Sequence, residues 1–119
     1  MDIRTLPQPS GDIDITSLLT LGPQDGAAID VGTAFFPPDI RFPQTGFSVH
    51  QQHEVSLLLE GELAIETPGE TQIVKAGQVI HLLPGEQHAA TAISRARVYY
   101  ILFGAPVDND RRPGGSRHT

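Results

Sequence analysis

Four of the chain's five histidines, His50, His53, His81 and His88, fall between positions 50 and 88, and a carboxylate, Glu54, lies among them. Side chains on an extended segment alternate faces, so residues of equal parity point the same way. Over the run Phe47 to Glu60 this puts Ser48, His50, Gln52 and Glu54 on one face, with His53 opposite beside Val55 and Leu57. A face of imidazole, amide and carboxylate is unusual on a strand that runs into apolar sequence. Buried polar groups are costly unless paired or coordinated, so such a face needs an occupant or water. Neutral imidazole with carboxylate suits Zn, Mn, Fe or Ni. His88 follows a tight Pro84-Gly85 turn at the start of another extended run. A sheet pairing that set it against His50 and Glu54 would complete two histidines and one carboxylate, the set associated with non-haem Fe(II). The same residues also suit a solvated sheet edge, or a wet cavity without metal.

The elements that must position these groups are short and extended. Ten prolines and twelve glycines punctuate the chain, as an all-β protein with many turns requires. Strands are expected over 29–36, 47–60, 62–66, 71–75, 79–83, 88–93 and 97–103. The turn Thr67-Pro68-Gly69-Glu70 marks a hairpin. Residues 14–19 read either as a short helix or as an edge strand, and 37–46 as a loop. No window carries sustained helical periodicity. Strands of this length between Gly/Pro turns indicate a sandwich or a barrel. Beyond Glu54 the longest run is apolar on both faces, with Val55, Leu57 and Leu59 on one side and Leu58 on the other, which requires that something cover its outside.

Length and charge narrow the class. At 119 residues the chain fits one domain, long enough to bury a core without covalent staples. It has no cysteine, hence no disulfide or thiolate ligand. Its net charge of −6 and scattered basic residues offer no stripe to neutralise phosphates, so no nucleic-acid partner is expected. No apolar run approaches the roughly 20 residues of a membrane span, and Met1-Asp2-Ile3-Arg4 lacks the pattern of a secretory signal. Neither a membrane partner nor export is expected, and the address is cytoplasmic by default. Residues 105–119 read as a disordered tail.

Two stretches resemble the motifs of the cupin superfamily. The first motif reads G-x5-H-x-H-x3-E-x6-G, and Glu54 is followed after six residues by Gly61. Counting back, His50 falls on the second histidine, Ser48 on the first and Phe42 on the opening glycine. The second motif reads G-x5-P-x-G-x2-H-x3-N. Gly77, Gly85 and His88 match it, while Leu83 stands at the proline (Pro84 follows) and Ala92 at the asparagine. The resemblance spans roughly 29–104. It implies an all-β fold, a single antiparallel double-stranded β-helix or jelly-roll barrel, with residues 1–28 packing on the barrel or on a dimer partner. It also implies a divalent metal ion, held in the family by three histidines and a glutamate, of which this chain retains His50, Glu54 and His88.

The expected function is a metal-dependent enzyme acting on a small polar or acidic molecule inside the barrel, with oxygenase chemistry slightly ahead of isomerase or lyase chemistry. Glu54 and Tyr100 are the expected catalytic groups, since Tyr99 and Tyr100 point to opposite faces and one of them meets the interior. Ser48, Gln52 and His53 are possible further site residues, whereas His81 reads as structural or interfacial. The alternatives are a non-catalytic barrel that binds or senses a small molecule after losing the metal, and an accessory barrel acting through a dimer surface. A homodimer is expected from the doubly apolar strand and from the resemblance.

Overall fold

Each Gly/Pro cluster in the chain reverses its direction, and the runs between them pair. In the computed structural model, which describes residues 1–24 and 26–105, nine strands and no helix form among the described residues. They are β1 (Asp14–Gln24), β2 (Ala27–Phe36), β3 (Arg41–Phe42), β4 (Gln52–Glu60), β5 (Glu62–Thr67), β6 (Glu70–Lys75), β7 (Val79–Leu82), β8 (Ala89–Ala92) and β9 (Ala96–Gly104). Five of them order as β1-β2-β9-β4-β7 and four as β3-β8-β5-β6, with every pairing antiparallel. Residues 106–119, and with them nearly all of the expected tail, lie outside the described residues.

The core lies between the two sheets. Leu58 and Leu63 are fully buried there, with Ala92, Ala96, Val98 and Leu102 around them. Alternation along β4 sets the inner face, Gln52, Glu54, Ser56 and Leu58, against the outer, His53, Val55, Leu57 and Leu59. Gly61 joins β4 to β5 at φ 85°, a conformation costly for other residues, and a side chain there would collide with the Arg95 carbonyl. The second motif's Pro84-Gly85 turn is tied to the first motif directly, because the Gly85 N–H donates to the His50 carbonyl at 2.8 Å.

The structure decides one open reading and departs from the expected strands in two places. Residues 14–19, open between helix and strand, belong to β1, which pairs along β2 from Asp14↔Phe35 to Gln24↔Ala27. The long run from Phe47 is not one strand: β4 starts at Gln52, a bend precedes it, and Ser48 forms an isolated bridge with His88. Strict alternation therefore does not connect Ser48 to Glu54; the bend does. Arg41 and Phe42, expected in a loop, form β3 by pairing with Thr91 and Ala90. Pairing partners distant in sequence decide such short strands, and local pattern carries no trace of them.

Candidate metal centre

Three elements deliver the ligating groups. Glu54 comes from the inner face of β4, His50 from the bend before it and His88 from the residue preceding β8. All three are buried, at 7%, 6% and 4% exposure. One ligand atom from each lies within 4.8 Å of the others. His50 Nε2 stands 3.1 Å and His88 Nε2 3.8 Å from the same oxygen, Glu54 Oε1.

The outer nitrogens explain the orientation. His50 Nδ1 lies 3.0 Å from the Gln52 carbonyl and His88 Nδ1 3.0 Å from the Glu86 carbonyl. A carbonyl only accepts, so each Nδ1 carries its hydrogen and each neutral ring presents a bare lone pair at Nε2. Two lone pairs then face a carboxylate oxygen, an arrangement that repels unless a cation sits among them. A proton could serve His50, which is within hydrogen-bond reach of Oε1. For His88 that oxygen stands at 3.8 Å, beyond hydrogen-bond length, and its buried Nε2 has no hydrogen-bond partner among the described residues. An unpaired buried group of this kind costs about 1–3 kcal/mol.

The donor set fits a divalent ion. Ligand atoms about 2.0–2.2 Å from a common ion stand about 3 Å apart at right angles and about 3.5 Å apart at tetrahedral angles; the 3.1 Å separation lies close to the first value and the 3.8 Å separation a little beyond the second. Ser56 completes the set from behind: its hydroxyl donates to Glu54 Oε2 at 2.9 Å and leaves Oε1 for the histidines. Supports of this kind fix ligand orientation around metals. Ser56 was not among the expected site residues, although its parity with Glu54 was the available signal. The two anchoring carbonyls leave no mark on side-chain pattern.

The other expected residues divide. Ser48 and His88 exchange backbone hydrogen bonds in both directions, at 2.9 and 3.0 Å. They are therefore directly opposed and present their side chains to the same face, so the position of the missing histidine does border the centre. Gln52 is buried, donates from Nε2 to the Ala105 carbonyl at 2.7 Å, and leaves Oε1 without a partner among the described residues. His53 points outward, where Nδ1 meets His81 Nε2 at 3.0 Å and its ring stacks on Phe103 with centroids 4.8 Å apart. Tyr100 lines the barrel interior, its ring lying over Gly32 on β2 with the hydroxyl beside the Thr16 carbonyl. That places the phenol on the side of β9 away from β4.

Glu54 and His88 line a narrow cavity with about 40 Å³ of room for water-sized groups. Phe36, Phe42, Leu63, Ile80 and Val98 are among its walls, and Ser56 and Tyr100 are its other hydroxyl-bearing lining. A sequence profile described as the cupin domain matches residues 40–103, which contain both motifs and all three ligand positions. The chain belongs to the cupin family. This cupin is 30% identical over 98 residues to the protein named acetate kinase EutQ of Salmonella typhimurium, covering 78% of the present chain and 38% of that protein's length. Among solved structures it resembles an RmlC-like cupin with a double-stranded β-helix fold from Methanocaldococcus jannaschii (TM-score 0.67, 9% identity, 89% and 91% of the two chains). It also resembles the EutQ protein of Clostridium difficile (0.64, 18%, 80% and 70%). A variant salicylate 1,2-dioxygenase of Pseudoaminobacter salicylatoxidans aligns at 0.57 and 14%, over 62% of this chain and 20% of that one. At these identities the structural likenesses establish the fold.

Proposed function

We propose that this cupin binds a divalent ion through His50, Glu54 and His88 and uses it to transform a small molecule inside the barrel. The observation carrying this reading is the buried Nε2 of His88, 3.8 Å from Glu54 Oε1 and without a hydrogen-bond partner among the described residues. Bound there, the ion would polarise a substrate oxygen or activate a water. The chain's own groups do the rest. The carbonyls of Gln52 and Glu86 hold both imidazoles as Nε2 donors, Ser56 holds the carboxylate, and the apolar walls exclude bulk water. Two imidazoles and one carboxylate suit oxygenation, with isomerase or lyase chemistry as alternatives on the same ligands. The dioxygenase among the structural relatives agrees with that preference. The kinase activity named for the Salmonella relative finds less support, since no Arg or Lys lines the cavity to meet a phosphate.

A second reading, a binding or sensing barrel that has abandoned metal, draws its support from Ser48 at the place of the family's first histidine. Protein purified without a histidine tag decides between them. The enzyme reading expects about one equivalent of a divalent metal, lost in His50→Ala, His88→Ala and Glu54→Gln. A metal-free protein whose melting temperature rises with small acids supports the second reading instead. Two copies pairing through the outer face of the five-stranded sheet agree with the exposed Leu59, Val79 and Phe103 on that face, and sedimentation as a monomer would remove that proposal.

A further inference from the structure

Resting on the metal reading above, we infer that the cavity selects ligands carrying at most one negative charge, located at the metal end, on an otherwise apolar body. Two neutral imidazoles and one carboxylate around a divalent ion would leave a single positive charge where Glu54 and His88 line the cavity. One anionic oxygen group on a ligand cancels it. A second anionic group would have to lie against the remaining walls, and these contain no cation: Glu54 is the one charged side chain among them.

Neither Arg41 nor Arg97 lines the cavity. Arg41 pairs with Glu66 at 3.2 Å and donates to the Pro43 and Gly46 carbonyls at 2.7 and 2.8 Å. Arg97 lies on the outer face of β9 and donates to the Pro7 carbonyl. A remote carboxylate or phosphate in the cavity would therefore be buried without a partner, which is strongly disfavoured.

Neutral polar bodies fare little better. The Ser56 hydroxyl hydrogen is already given to Glu54 Oε2, and the Tyr100 hydroxyl sits beside the Thr16 carbonyl over Gly32. A sugar-like ligand would bring several hydroxyls to walls made of Ile15, Phe36, Phe42, Leu63, Ile80 and Val98. A short aliphatic or flat unsaturated body meets those walls with no polar group stranded. This narrows the expected class of small polar or acidic molecules to those whose polar atoms gather at one end.

A matched pair of chelators tests the inference. N-hydroxybutanamide and N-hydroxysuccinamic acid share the same hydroxamate head and differ at the far end, methyl against carboxylate. Both are titrated by calorimetry into the full-length protein loaded with one equivalent of zinc. The inference expects the methyl-ended probe to bind at least tenfold more tightly, and expects Ile80→Arg, which places a cation on the wall, to shrink that preference by at least threefold. Equal affinities, a preference for the carboxylate, or a preference unmoved by Ile80→Arg with zinc still bound would overturn it while leaving the metal reading intact. Failure of the wild-type protein to take up zinc would overturn both.

Discussion

Two pairs of histidines lie on opposite sides of the barrel wall, one inside and one on the outer face of β4 and β7, with opposite results. Inside, His50 and His88 spend their Nδ1 hydrogens on backbone carbonyls and turn two bare Nε2 atoms toward Glu54. Outside, His53 and His81 satisfy each other at 3.0 Å, with rings 16° from parallel, and no carboxylate joins them among the described residues. The residue type is the same on both faces. The fate of the second nitrogen and the depth of burial separate a ligand from a surface pair. A histidine becomes a ligand where the fold fixes its tautomer and leaves a lone pair with nowhere else to go.

Substitutions can break or sharpen that contrast. The largest effect is expected from Glu54→Gln and His88→Ala, each lowering divalent-metal affinity by about a hundredfold or more, because a three-ligand set cannot lose a member and hold its ion. His53→Ala and His81→Ala should leave affinity within about twofold, since their nitrogens face away from the centre. Equal losses on both faces, measured by competition with a chromophoric chelator, would erase the distinction. Next comes Ser48→His, directly across from His88. A third imidazole there, making a fourth ligand, should raise affinity by roughly tenfold to a hundredfold, and an unchanged value would mean that the side chain at 48 does not reach the ion. Ser56→Ala follows, costing about tenfold in affinity through loss of carboxylate orientation. Stability repeats the pattern along β4. Leu58→Ala, at a position with no exposure, should cost about 2–5 kcal/mol in chemical denaturation, and Leu59→Ala, 43% exposed, about 0.5 kcal/mol or less.

Much of this was legible in the residues. The resemblance carried by the spacing from Glu54 to Gly61 and from Gly77 through Gly85 to His88 pointed to the barrel and to the three candidate ligands, because a glycine at a forced turn and a side chain at fixed distance from it cannot drift independently. Alternation sorted the faces of β4 correctly, from Gln52 and His53 onward. Before Gln52 it set His50 on the right side without the right cause, since His50 reaches the interior through a bend and its carbonyl's bond to Gly85. A contact 35 residues away along the chain holds that bend, and no local pattern encodes it. The anchoring of both imidazoles was also hidden, since the acceptors are backbone carbonyls that every residue possesses. Tyr100 shows a third limit. Parity placed one of Tyr99 and Tyr100 inside without choosing between them, and the lean of the Tyr100 ring over Gly32 depends on the glycine opposite, a cross-strand relation visible only once β2 and β9 pair.

X-ray absorption at the metal edge of the zinc- or cobalt-loaded protein tests the central claim most directly, because imidazole rings give a countable outer-shell scattering signature. The account predicts two imidazoles with oxygen ligands completing a first shell at about 2.0–2.2 Å, and the imidazole count falling to one in His88→Ala. A loaded ion showing no imidazole, or one whose imidazoles disappear in His53→Ala and persist in His88→Ala, would contradict it.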